Sequence, residues 1–168
     1  SESEPRKSEG IVIDLGRPDG RAVVVTAQGW TVVDRSPVLF RRTPLTNQLP
    51  LPVAGGCLRR LRSLVNVTDE GYEMLRGWLV AGLFPSIAHS ILVLRGERGT
   101  GKTTALAMLA ALIDPSAALP FGTPTDLENW AMIAGGGWCL QLDNIAGISP
   151  WFSQELCRAV TGRGTVRR

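Results

Sequence analysis

The stretch Ser90-Ile-Leu-Val-Leu-Arg-Gly-Glu-Arg-Gly-Thr-Gly-Lys-Thr-Thr104 carries the strongest expectation about the fold. Its first half is a short apolar run, as expected of a buried parallel strand. Gly96 to Thr103 then fits G-x-x-x-x-G-K-[ST] in full. Lys102 to Ile113 follows as a strongly helical, apolar segment, and Asp114-Pro115 stops it. Glycines let such a loop curl until successive N–H groups converge on phosphate oxygens. The helix behind it turns its partial positive charge on the same anion.

Each polar position in this loop has a task. Lys102 is placed to bridge β- and γ-phosphates, and Thr103 to offer its hydroxyl to Mg²⁺. Gly96, Glu97, Arg98, Gly99, Thr100, Gly101, Lys102, Thr103 and Thr104 are therefore the expected nucleotide-binding residues, with ATP and Mg²⁺ as ligands. Lysine usage sharpens the reading. The 18 basic residues are 16 Arg and only two Lys, and Lys102 is the one outside the N-terminal tail.

A phosphate loop needs an acidic partner for its metal. Trp138-Cys-Leu-Gln-Leu142 reads as a second buried strand, and Asp143 stands at its tip, where open α/β sheets bind ligands. Asp143 is thus the expected Mg²⁺ residue with Thr103. Asn144 follows, where many ATPases of this kind carry a Glu that polarises the attacking water. An amide orients water without accepting its proton, so Lys102, Asp143 and Asn144 form the expected catalytic set with the base left open. Glu97 and Glu155 are the alternatives for that base, each read first as a solvated carboxylate.

Working outward, Asn66-Val-Thr68 offers caps for a helix from about Asp69 to Phe84, with Tyr72, Leu75, Leu79 and Leu83 on one face. Thr123-Pro-Thr-Asp126 opens another helix, to about Ala134, with Thr123 as cap and Pro124 in first position. Ser149-Pro150 caps a last helix to about Val160. Leu58 to Val65 suits a short basic helix. Residues 11–42 read as a four-stranded β-meander, with turns at Arg17-Pro-Asp-Gly20 and Gln28-Gly29 and a fourth strand over Val38–Arg41. Residues 43–56 carry three Pro, two Gly and no periodicity, so they read as a linker between the meander and a unit spanning 57–168.

Composition sets the bounds. A chain of 168 residues fits one domain, or one domain with a small appendage. Its 44% hydrophobic and 20% charged content excludes a fully disordered chain. The net charge of +3 argues only weakly for a nucleic-acid partner, and the Arg59, Arg60, Arg62 and Arg163, Arg167, Arg168 groups read as solvated faces. Trp30, Phe40, Arg41 and Arg42 are either a nucleic-acid surface or ordinary packing residues, the second being favoured. Cys57, Cys139 and Cys157 lack metal-ligand spacing and read as reduced, buried thiols. Residues 1–10 are polar with no apolar signal region, a disordered lead-in. Gly77 to Leu94 carries no formal charge, but Pro85, Ser86, His89 and Ser90 break it, so no membrane span is expected. His89 is read as structural.

The P-loop run, Ala-Leu-Ile-Asp-Pro115 and Trp138-Cys-Leu-Gln-Leu-Asp-Asn-Ile-Ala-Gly-Ile-Ser-Pro-Trp-Phe-Ser-Gln-Glu-Leu-Cys-Arg158 together resemble bacterial and prophage ATP-binding proteins of the primase-associated helicase type. These are similar to superfamily 3 helicases within the AAA+ class. The resemblance covers roughly residues 58–168 and extends to the Gly29-Trp-Thr-Val-Val-Asp34 and Pro37–Arg42 segments. It implies an α/β fold with a three-layer P-loop NTPase core, a parallel sheet with flanking helices, preceded by the small antiparallel meander. It also implies a cytoplasmic Mg-ATPase of phage or mobile-element DNA replication, acting on DNA as a homo-oligomeric ring. Sensor and arginine-finger segments of such proteins lie beyond the Walker B region, so the expectation is a core cut short at its C-terminus. Two other readings stay open: a nucleotide-gated scaffold that hardly hydrolyses ATP, and a P-loop small-molecule kinase.

Overall fold

The computed structural model describes residues 10–118 and 120–161. The lead-in expected over residues 1–10 falls, but for Gly10, outside the described residues. So do Arg163, Arg167 and Arg168.

The N-terminal part is an antiparallel sheet of three strands in the order β1 (Ile11–Asp14), β2 (Ala22–Thr26), β3 (Gly29–Val33). Val12 pairs with Val24, and Val24 with Thr31. The Arg17–Gly20 turn closes through a Gly20 N–H to Arg17 carbonyl bond of 3.2 Å. The second turn falls on Ala27 and Gln28, with Gly29 already paired to Thr26. The expected fourth strand over 38–41 does not form: Leu39 is fully exposed, and Arg41 and Arg42 turn to other partners.

Five helices follow among the described residues. They are α1 (Arg59–Arg62), α2 (Asp69–Ala81), α3 (Lys102–Ala111), α4 (Leu127–Ala134) and α5 (Pro150–Val160). Thr68 caps α2 by accepting from the Gly71 amide, and Ser149 caps α5 by accepting from Phe152, with Pro150 at the first position. The cap of α4 is Asp126, not Thr123. The Asp126 carboxylate reaches the Asn129 amide at 2.8 Å, and the helix starts three residues later than the Thr-Pro pair suggests.

Two apolar clusters hold these helices. The first joins Leu61, Val65, Tyr72, Leu75, Leu79, Leu109 and Ile113, so that α2 and α3 share one core. The second joins Trp130, Ile133 and Phe152 between α4 and α5, with the Trp130 and Phe152 rings edge-on at 5.3 Å. Residues 138–142 connect the two: Cys139 packs on the first cluster, Leu140 and Leu142 on the second.

Ser90–Arg95 runs without ladder pairing among the described residues. Leu92 and Leu94 pack on the first cluster, while Ile91 and Val93 are more than half exposed. With only one face covered, the run alternates in and out instead of being buried on both sides. One parallel bridge, Phe121 to Leu142, is present: the Phe121 amide donates to the Gln141 carbonyl and the Asp143 amide to the Phe121 carbonyl.

The first residues of the 43–56 segment are tied to the chain that follows. Thr46 bridges Ser116, the Asn47 amide donates to Pro115, and the Ala117 amide donates to Leu45. Thr43 Oγ1 donates to the Gly136 carbonyl at 2.8 Å, and Arg41 to that of Gly135 at the end of α4. Arg42 forks onto Asp14 with bonds of 2.8 and 2.7 Å. Gly16 makes the close approach possible. Its φ is +62°, and a β-carbon there would stand 2.4 Å from the Asn47 carbonyl oxygen.

Candidate functional site

The glycine-rich loop lies exposed between the 90–95 run and α3. Gly96, Gly99 and Gly101 all have positive φ, at 157°, 81° and 79°. Gly101 takes the left-handed conformation at the N-cap of α3, which no branched residue would share cheaply. The loop closes on one atom, the Glu97 main-chain carbonyl. Thr100 Oγ1 donates to it at 2.8 Å and Lys102 Nζ at 2.6 Å. Glu97 thus serves the loop through its backbone, and Arg98 and Thr104 are exposed on either side.

Among α2 to α5, α3 alone has no side chain capping its N-terminus, and no acidic residue stands in its first turn. Its leading N–H groups therefore lack a side-chain cap, and Lys102 stands at the first helical position. Such an end favours an anion.

Asp143 meets this loop from the other side. Its Oδ2 accepts from Thr103 Oγ1 at 2.7 Å, and its Oδ1 accepts from the Asn144 amide at 2.8 Å. The Thr103 hydroxyl, the Asn144 amide and the charge of Lys102 hold its carboxyl below the usual carboxylate range, against a smaller opposing effect of burial. The parallel bridge at Phe121 and Leu142 fixes the backbone immediately before it. Asn144 is the one non-glycine residue with positive φ among the described residues, at 56°. Asn tolerates this region better than most side chains.

The donor set suits a hydrated Mg²⁺ shared with phosphate, which takes one or two protein ligands rather than a full cage. No group of three or more His, Cys, Asp or Glu side chains that could cage a metal occurs among the described residues. No described helix is long and apolar enough to cross a membrane.

Other residues singled out in the sequence lie elsewhere. Glu155 is not a solvated carboxylate: it is 5% exposed on α5 and paired with Arg158. Arg62 bonds Asp69 and covers the Tyr72 ring. Cys57 and Cys157 are exposed thiols, contrary to expectation. Cys139 is shielded, and burial, aided by Asp114, pushes its thiol up to about 11. His89 packs edge-on against Trp138 at 5.4 Å, and its Nε2 is buried without a hydrogen-bond partner. One support was missed in the sequence. Asp114 Oδ2 accepts from both the Trp138 and Cys139 amides, tying the end of α3 to the start of the segment that carries Asp143. In the sequence its position next to Pro115 marks only a helix stop.

A sequence model of the family described as actinomycete integrative conjugative element replication protein matches residues 58–168. The match takes in α1 to α5, the loop and Asp143. No curated protein and no solved structure matches the chain.

Proposed function

The chain belongs to the family of actinomycete integrative conjugative element replication proteins, and from that premise we propose that it is the Mg-ATP-binding, ATP-hydrolysing module of a mobile element's DNA replication machinery. The observation that carries this reading is the 2.7 Å bond from Thr103 Oγ1 to Asp143 Oδ2. It joins the hydroxyl at the end of a phosphate-loop motif to a carboxylate forty positions away, the two groups such a nucleotide site needs for its metal. The uncapped start of α3 supports the same reading. The fold proposed for residues 57–168 is accordingly a P-loop α/β core.

In this reading the loop amides and Lys102 bind the phosphate chain, and Lys102 exchanges its bond to the Glu97 carbonyl for phosphate oxygens. Thr103 and Asp143 hold Mg²⁺, which supplies charge neutralisation when bound. Asn144, next to the carboxylate, orients the attacking water. Action on DNA as a helicase-like ring belongs to the proposal through the resemblance to superfamily 3 proteins.

A specific observation favours a second reading, a nucleotide-gated scaffold with little turnover. Residue 144 is an amide that cannot accept a proton, and Glu155 is engaged with Arg158 on α5. One pair of measurements separates the readings. Calorimetric titration of ATP should show binding that Lys102→Ala abolishes, and unchanged affinity in that variant overturns both. Phosphate release by the chain with and without DNA, beside Asn144→Glu, then divides them. Turnover that is negligible in the parent and raised by Asn144→Glu selects the scaffold.

A further inference from the structure

Hydrogen bonds join α3 to the segment that carries Asp143 at both ends of the helix. At its start Thr103 Oγ1 donates to Asp143 Oδ2. Just past its end Asp114 Oδ2 accepts from the Trp138 amide and, at 3.0 Å, from the Cys139 amide. The helix and its closing turn carry the chain about 16 Å from Thr103 to Asp114. Residues 138–143 reach about 17 Å at full extension, so the two paths match in length. A carboxylate beside a helix C-terminus meets the negative end of the dipole, an unfavourable place that two amides of a distant segment offset. The turn that holds Asp114 is pinned from its far side: the Asn47 amide donates to the Pro115 carbonyl and the Ala117 amide to that of Leu45. Gly137 leaves room for the contact, since a β-carbon there would stand 2.9 Å from Asp114 Oδ2.

The consequence falls on the other end of the segment. An extended chain advances about 3.3 Å per residue and turns its side chains to alternate faces. A slip of one residue would bring Leu142 or Asn144 opposite Thr103, and neither carries a carboxylate. Phe121 pairs with the same segment through the Gln141 carbonyl and the Asp143 amide. That bridge refers the segment to the second apolar cluster, on which Phe121 packs. The bonds to Asp114 refer it to the helix that bears Thr103.

We propose that Asp114 is a positioning residue: through the Trp138 and Cys139 amides it sets the register of residues 138–143 along α3, so that Asp143 and no neighbour meets Thr103. Its effect on nucleotide binding rests on the reading of the loop as a Mg-nucleotide site; its effect on register does not. The register is therefore read first without nucleotide. In the chain with Cys57, Cys139 and Cys157 replaced by Ala, Thr103→Cys is combined in turn with Leu142→Cys, Asp143→Cys and Asn144→Cys, and disulfide closure is timed under mild oxidation. The pair with Asp143→Cys should close first. Asp114→Ala and Gly137→Ala should reduce that preference, and Asp114→Asn, which keeps an acceptor oxygen, should retain it. The second arm measures ATP affinity with Mg²⁺ and with EDTA. Asp114→Ala should lower the gain from Mg²⁺ about tenfold, the scale for a residue that orients a metal ligand, and leave the affinity in EDTA unchanged. Leu109→Ala, which loosens α3 away from both ties, should keep the whole gain. Gly137→Ala displaces Asp114 Oδ2 alone, so it decides both arms even where Asp114→Ala fails to fold. Equal closure of the three pairs in the parent, or an undiminished preference for position 143 in Asp114→Ala or Gly137→Ala, overturns the proposal. So does a loss of ATP affinity that is equal with and without Mg²⁺. A parent that binds no ATP sinks the nucleotide reading and leaves the disulfide arm to judge the register.

Discussion

Thr103 and Asp143 meet through a 2.7 Å hydrogen bond although they are forty residues apart. The bond lowers the Asp143 carboxyl, with the Asn144 amide and Lys102 acting in the same direction. A carboxyl held low is ionised throughout the neutral range and loses its charge only as pH falls through the lowered value. Mg-dependent nucleotide binding should therefore stay flat from about pH 8 to about pH 5, where an unperturbed Asp of pKa about 3.9 is also ionised. Thr103→Val removes the largest lowering cause, so its loss on acidification should begin at a higher pH than in the parent. Thr103→Ser should behave as the parent does. Titrations with and without Mg²⁺ along a pH series check this, and identical profiles for Val and Ser would refute it.

Asn144 has φ of 56°. Left-handed backbone costs an ordinary L-residue about 1–2 kcal/mol. Asn144→Gly should be neutral or slightly stabilising. Asn144→Val should lower stability by about 1–2 kcal/mol, the β-branch adding to the strain. Urea midpoints for the two variants provide the comparison, and equal midpoints would contradict the observed conformation.

Arg42 and Asp14 tie the meander to the chain that follows it. Burial raises the Asp14 carboxyl, but the bonds from Arg42 and the Gly16 amide and the Arg42 charge outweigh it, and the net shift is downward. A folded pKa below the unfolded one contributes stability above about pH 4, lost as pH falls through the folded value. Asp14→Asn should cost about 1 kcal/mol at neutral pH, the level of a good surface pair, and flatten the acid limb of the stability curve. Thermal melts at pH 7 and pH 3 measure both effects. A cost that persists undiminished at pH 3 would place the effect elsewhere.

Leu109 is 1% exposed and sits where α3 packs on α2. Leu109→Ala should destabilise by about 3 kcal/mol, the middle of the range for such cavities. Since α3 carries Lys102 and Thr103 at its start, nucleotide affinity should be recovered in this variant wherever temperature is low enough for it to fold. Denaturant unfolding with and without ATP tests the pair of statements.

The helices and the glycine loop are legible in the sequence because their signals are local. Thr68, Ser149 and Pro150 are capping residues beside apolar periodicity, and a helix end is settled within one turn of chain. The loop is legible for the same reason: its glycines and Lys102 act within eight consecutive residues. The boundary of α4 is ambiguous in the sequence because Thr123 and Asp126 are both good caps, and local chemistry does not choose between them. Val38–Arg41 forms no strand despite its pattern, because β-branched and aromatic density marks a strand only when a partner edge is free to pair with it.

Local conformation is written in the chain: the caps of α2 and α5 and the glycines that permit left-handed backbone. Which distant residues meet is a matter of packing. Asp143 reaches Thr103 because Phe121 and Asp114 hold the segment before it. Residues 43–47 dock on 115–117 and on Gly136. Glu155 is buried with one oxygen unpaired because Phe152 carries its helix face inward. Capping and turn formation draw on neighbours within a few residues. These contacts arise between segments tens of residues apart and depend on how apolar faces stack, for which a linear pattern holds no address.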